Sequence, residues 1–242
     1  MNPEFKEKRP VRSGALLGRL THQSQMSDSF ALSVILALSG GFQDAYTYVV
    51  RDEVFANAQT GNVVLMSTHL MRGDWHTAAR YLLPLCAFIG GVLLAEHIRF
   101  LGRSFARLHW RQVCLLVEMG IMLTVGFMPV GLNLPANILV SFACALQVQS
   151  FRRVGGVHYA STMCIGNLRS GTEALFHYIR YRERSYLRRS AYYFGVIFAF
   201  AVGAGVGGNL SAILHIRTIW VCCGLLAIGF LLMVPGQPAE DT

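Results

Sequence analysis

Charge is scarce in this chain. Only 14% of its 242 residues are charged, whereas a soluble domain carries about 25%. That shortfall argues against a sizeable soluble domain. Paired ligands and catalytic signatures are missing as well. The six cysteines (Cys86, Cys114, Cys144, Cys164, Cys222 and Cys223) include no CxxC spacing and lie in or beside apolar runs. They read as reduced packing residues. The eight histidines show no HxxxH or Cys/His ligand spacing, so no metal ligand is predicted. No G-x-S-x-G elbow, P-loop or pair of catalytic carboxylates occurs. An enzyme is not expected, nor is a cofactor. A cleavable signal pattern is absent too: the basic tail with Lys6, Lys8, Arg9, Arg12 and Arg19 is too long and too charged for one.

What the chain has is apolar length. Apolar residues make up 53% of it. A helix crossing a bilayer needs roughly 20 mostly apolar residues. Six runs approach this: Phe30–Val50, Tyr81–Ile98, Val113–Val130, Ala136–Phe151, Ala191–Leu210 and Thr218–Val234. Polar residues gather between the runs and form no amphipathic faces, which disfavours a soluble helical core. The net charge of +8 sits beside these runs. That is the pattern of cytoplasmic loops, not of a nucleic-acid footprint. The expected partner is the lipid bilayer, with no nucleic acid.

Two further segments are apolar but interrupted. In Arg51–Arg80, the stretch Phe55–Met71 is broken by Asn57, Gln59, Thr60, Gly61 and Asn62. Only Val63–Met71 reads as an apolar helix there, and it is too short to span. In Arg152–Arg189, the stretch Tyr159–Ile179 is broken by Gly166, Asn167, Arg169, Ser170, Gly171 and Glu173. Loop charge arbitrates. If neither segment crosses and the N-terminus is cytoplasmic, 17 of the 21 Lys and Arg residues lie inside. If both cross, that bias vanishes. The positive-inside rule therefore favours six spans plus two re-entrant segments, with both termini cytoplasmic. Seven or eight spans are the alternatives.

The two halves echo each other. Gly41-Phe42-Gln43-Asp44-Ala45 finds Ala145-Leu146-Gln147-Val148-Gln149 at an offset of 104 residues. Thr60-Gly61-Asn62 finds Ile165-Gly166-Asn167 at 105, and Ala87–Gly91 finds Phe200–Ala204 at 113. The expected fold is an all-α transmembrane bundle. A cytoplasmic tail, 1–29, precedes one transmembrane domain, 30–234, and a tail, 235–242, follows. The repeats cover about 30–130 and about 136–234. An odd number of crossings per repeat inserts the second copy upside down. Inverted repeats with broken helices near the midplane are a common transporter plan.

The candidate site follows from the breaks. Non-helical backbone inside a bilayer must be buried in protein or line a wet cavity. Thr60 is expected to cap the short helix, Gly61 to allow a tight bend, and Asn62 to offer an amide. Asp44 lies in an apolar run, where a carboxylate needs a cavity or a partner. It either binds a proton or cation, braces the break, or sits at the outer headgroups. Gln43 adds a hydrogen-bonding side chain. The second copy offers Gln147, Gly166 and Asn167. Arg169 and Glu173 could pair, or could simply be exposed. Glu118, within the run Val113–Val130, is also costly unless paired. The small residues Ala201, Gly203, Ala204, Gly205, Gly207 and Gly208 suit close helix packing, within one chain or across a homodimer.

The first motif, with Phe55 and Thr60-Gly61-Asn62, resembles the signature of the YoaK family. This is a group of bacterial membrane proteins also described as a domain of unknown function, DUF1275. Ala145-Leu146-Gln147 and Ser161–Asn167 are similar to its second motif, departing from it at Ala145, Val148 and Ile165. The resemblance covers roughly Ser29–Val234. It implies a multi-pass protein of the bacterial inner membrane, loosely described as a transporter, with no established substrate. Two function classes follow: a small transporter or channel-like permease for a small solute or ion, and a non-transporting membrane partner or sensor.

Overall fold

The computed structural model describes residues 30–101, 109–154, 157–159 and 161–233. The expected tails, 1–29 and 235–242, lie outside the described residues. Eight α-helices follow in order: α1 Phe30–Val50, α2 Gln59–Met71, α3 Trp75–Leu101, α4 Trp110–Val125, α5 Asn133–Ser150, α6 Cys164–Tyr181, α7 Arg184–Leu214 and α8 Trp220–Leu232. Short 3-10 turns precede α5 and α8. A two-residue antiparallel ladder, β1 Arg153–Val154 with β2 Val157–His158, lies in the loop before α6.

The helices overrun the apolar runs. The run Ala191–Leu210 sits inside the 31 residues of α7. Phe30, the first residue of α1, stacks on Tyr192 with ring centroids 5.0 Å apart. Gly171 of α6 packs against Tyr193 and Phe194 at that same level. The second half of α6 and the first turns of α7 therefore project past the start of α1. This is where Arg180, Arg182, Arg184, Arg188 and Arg189 are exposed.

The interruptions are not where the polar residues suggest. Thr60, Gly61 and Asn62 lie in the first turn of α2, and Gly166 to Glu173 lie inside continuous α6. The breaks come earlier, at 51–58 and between the end of α5 and the start of α6. The first begins with two left-handed residues, Asp52 (φ 63°) and Glu53 (φ 58°). Such a conformation is uncommon outside glycine. Tertiary bonds hold it: Asn133 Nδ2 donates to Asp52 Oδ1 at 2.8 Å, and Arg80 pairs with Asp52 at 3.5 Å.

The packing pattern has an internal regularity. α1 lies against α7 and α8, and α5 lies against α3 and α4. α2 packs on α3, and α6 on α7, while α4 and α8 meet each other. Exchanging α1–α4 with α5–α8 reproduces this set. The main apolar core forms between α1, α4, α5 and α8, around Leu36, Leu115, Met122, Val140 and Leu226.

The molecule is inverted relative to a soluble protein. Ile89, Leu93, Phe198, Ile213 and Leu231 are each more than 60% exposed. Arg51, Gln43, Asn62 and Glu118 are fully buried. A monomer in water rarely leaves so much large apolar surface uncovered. Lipid is the solvent that this surface fits. Three stretches are long and apolar enough to cross a membrane: Trp75–Leu101, Val130–Ser150 and Arg184–Leu232. α1 is 21 residues long, but Gln43 and Asp44 dilute its hydropathy. α4 has only 16 residues.

Candidate site at the centre of the first helix

After α1 ends, the chain turns and runs back along it. Phe55 stacks on Tyr48 at 4.9 Å. Two residues on, the Asn57 backbone N–H donates to Asp44 Oδ1 at 2.6 Å, and Asn57 Nδ2 donates to the Gly40 carbonyl at 3.1 Å. Gly40 is the eleventh of the 21 residues of α1, about 15 Å from either end at 1.5 Å per residue. The loop therefore dips halfway down the helix before α2 begins. The backbone amides of Ala56 and Ala58 also act on the Asp44 carboxylate. Asp44 thus braces, from another helix, the loop that leads into α2. Ala58, at the N-cap position, makes no side-chain cap.

The second break arrives at the same point. Thr162 Cγ2 lies 2.6 Å from where a Cβ on Gly40 would stand, so no larger residue fits there without a shift. Gln147 Nε2 donates to the Leu36 carbonyl at 3.1 Å and to Ser161 Oγ at 3.0 Å. The starts of α2 and α6 therefore meet at the middle of α1.

The predicted site residues separate into two groups. Asp44 and Gln147 stand at this meeting point. Asn62 is fully buried and clamps the loop, donating from Nδ2 to the Phe55 carbonyl at 2.6 Å and accepting the Phe55 N–H at 3.2 Å. Asn167 is buried at the corresponding turn of α6. The expectation for Thr60 is corrected: it is exposed, sits inside the helix and makes no cap. Gly61 is helical rather than bent. A Cβ there would come within 3.1 Å of the Phe55 ring, so close packing is what calls for glycine. Gly166 is exposed, with nothing within 4 Å of its Cβ position. Arg169 and Glu173 are both exposed, and no ion pair joins them among the described residues. Gly203 and Gly207 pack against α1 within the chain, at Leu38 and Phe42.

Gln43 faces a different neighbour. Its Nε2 donates to Ser39 Oγ and to Glu118 Oε1, each at 3.1 Å, and its Oε1 accepts from Cys144 Sγ at 2.7 Å. A carboxyl near the middle of an apolar run was the signal for Glu118. Nothing in the sequence paired it with Gln43. Arg51 is the residue that loop counting missed. Its guanidinium donates to the Tyr46 hydroxyl at 2.9 Å and to Asn133 Oδ1 at 3.0 Å. It also donates to the carbonyls of Val125, Met128 and Pro129. Arg51 thus closes the C-terminal end of α4, where a cation is favoured. Among the described residues no group of three His, Cys, Asp or Glu side chains could hold a metal ion.

Comparison with known proteins agrees with this inside-out build. Over 196 residues the chain is 24% identical to the UPF0700 transmembrane protein YoaK of Bacillus subtilis (strain 168), covering 77% of this chain and 86% of that protein. No solved structure matches. Residues 32–232 match the family described as "Protein of unknown function (DUF1275)". With its polar interior, its apolar exterior and this family match over most of its length, the chain is a membrane protein and belongs to the DUF1275 family.

Proposed function

We propose that the protein is a small permease of the bacterial inner membrane, with a polar site at mid-depth. The observation that carries this reading is the meeting of α2 and α6 at Gly40. Two half-length segments that start at the bilayer centre and return to opposite faces are a plan for a selective pathway. In this reading α1, α3, α4, α5, α7 and α8 cross, and α2 and α6 do not. The exchangeable packing pattern supports two repeats inserted in opposite senses. The charge bias supports cytoplasmic termini. Fold-level analogy supplies no substrate; the chemistry comes from Asp44, Asn57 and Gln147.

Topology can be tested on a cysteine-free background with an impermeant maleimide. Cysteines replacing Glu53 and Gly73, which flank α2, should both label from outside. Cysteines replacing Arg152 and Arg182, which flank α6, should both label from the cytoplasm. Opposite-face labelling of either pair would sink the re-entrant reading.

Asp44 has two roles to separate. Asp44→Ala leaves the buried N–H of Asn57 without its acceptor, a loss of about 1–3 kcal/mol. Asp44→Asn keeps an acceptor oxygen, so that variant is expected to insert and fold. In proteoliposomes it should lose ion-coupled flux. Full flux in Asp44→Asn would leave Asp44 with the bracing role alone.

A further inference from the structure

Two amide oxygens at the centre of α1 have no partner. Asn57 Oδ1 and Gln147 Oε1 are each buried without a hydrogen bond, in side chains that are 8% and 1% exposed. Their orientations are fixed by the other end of each amide. Asn57 Nδ2 is committed to the Gly40 carbonyl, and Gln147 Nε2 to the Leu36 carbonyl and Ser161. Flipping either group would set oxygen against carbonyl oxygen. Residues 36 and 40 are four residues apart on one face of α1, a separation of about 6 Å along the axis at 1.5 Å per residue. The two amides are therefore stacked neighbours, one from each half of the chain.

A buried acceptor left empty costs free energy, and native structures fill such positions with water or an ion. Both free atoms here are carbonyl oxygens, which can only accept. That excludes an anion and requires a donor or a cation. Asp44 supplies one negative charge beside them, held by the same Asn57. One carboxylate with neutral amides balances one positive charge, which disfavours a divalent ion. An ion the size of calcium binds oxygen at about 2.4 Å, so bridging the two oxygens requires a separation of about 5 Å, near the axial spacing of the two carbonyls that hold the amides. Sodium has nearly that radius.

We propose that a small monovalent cation of the sodium or potassium class binds at the middle of α1, between Asn57 Oδ1 and Gln147 Oε1 and beside Asp44. The cation joins the two breaks to α1 and to each other. This deepens the permease reading by naming the class of ion at its site, although binding itself does not require transport.

The test is thermal unfolding of the purified full chain in detergent, in sodium, potassium, lithium or choline chloride at equal ionic strength. The midpoint should rise saturably in sodium or potassium relative to choline, as binding to the folded state alone requires. Gln147→Leu should weaken the apparent affinity at least tenfold. If that variant does not fold, Asp44→Asn takes its place with the same expectation. Equal midpoints in all four salts would mean that water alone fills the position, and would overturn the proposal. A selective rise that survives in the folded variant would move the cation elsewhere and overturn it too. Flux in proteoliposomes separates the two readings. Selective stabilisation without flux keeps this site and removes the permease; flux without selective stabilisation does the reverse.

Discussion

Arg51→Ala should destabilise the protein by about 3–5 kcal/mol, because it strands several buried acceptors at about 1–3 kcal/mol each. Among the described residues, Arg51 is the largest fully buried side chain. Five hydrogen bonds leave its guanidinium, three of them to backbone carbonyls at the end of α4 and in the turn after it. The other two reach Tyr46 on α1 and Asn133 on α5. Tyr46 also places its ring 5.6 Å from the guanidinium carbon and donates its hydroxyl to the Ile216 carbonyl at 3.1 Å. One side chain thus ties α1, α4 and α5 together, and reaches the turn before α8 through Tyr46. Alanine would leave carbonyls buried where no water replaces the donor. Arg51→Lys should rescue little, because an ammonium has three donors and no planar fork. The measurement is the unfolding midpoint in detergent, with the monodisperse fraction on size exclusion as a second readout. A midpoint within a degree or two of wild type for Arg51→Ala would show that the network is dispensable. The Asn137 side chain, which donates to the Arg51 carbonyl at 2.6 Å, would still hold the backbone in place.

Much of the helical plan was legible because membrane helices announce themselves by length. The positions of α1, α3, α5, α7 and α8 follow from apolar runs, and the shortness of α2 from the nine residues Val63–Met71. The breaks were misplaced for a physical reason. Polar residues look like the interruption, yet Asn62 is helical and spends its amide on the backbone of Phe55. The true break at 51–58 contains Val54 and Ala56, which are buried and apolar. Non-helical backbone there is satisfied from outside the segment, by Asp44 and Asn62, so its own sequence carries little polarity. Arg51 misled in the opposite way. As a charge between two apolar runs it reads as loop charge, but it is wholly buried against helix ends. Charge bias reports on loops, and a guanidinium satisfied by carbonyls is no longer loop charge. The contact of Gln43 with Glu118 joins residues 75 apart, and no local pattern encodes such a pairing. Asp44 is costly in an apolar run, and the Asn57 N–H that it accepts offsets part of that cost.

Gly41→Ala should be the most damaging single methyl group in the protein. A Cβ at Gly41 would stand 2.0 Å from the Phe200 carbonyl oxygen and 2.9 Å from the Ala204 nitrogen. Both atoms belong to the backbone of α7, so no side chain can rotate away. The reciprocal contact is as tight: a Cβ at Gly203 would stand 2.1 Å from the Leu38 carbonyl oxygen. α1 and α7 touch backbone to backbone. Between helices in lipid, packing and interhelical hydrogen bonds carry the association, because lipid tails are as apolar as leucine. Forcing the pair apart should cost about 3 kcal/mol, the upper end of the overpacking range. Gly205→Ala is the matched control. It lies on α7, the other helix of the pair, with nothing within 4 Å of its Cβ position, so it should be neutral or slightly stabilising through helix propensity. Gly41→Ala and Gly203→Ala together should cost less than the sum of the two, since either one opens the same interface. Because Gly40 and Asp44 sit on the shifted helix, a Gly41→Ala protein that still folds should also lose the selective response to sodium or potassium. Gly205→Ala should keep it. Equal midpoints for Gly41→Ala and Gly205→Ala would mean that α1 and α7 are not in backbone contact, and with that the register bringing both breaks to Gly40 would fall.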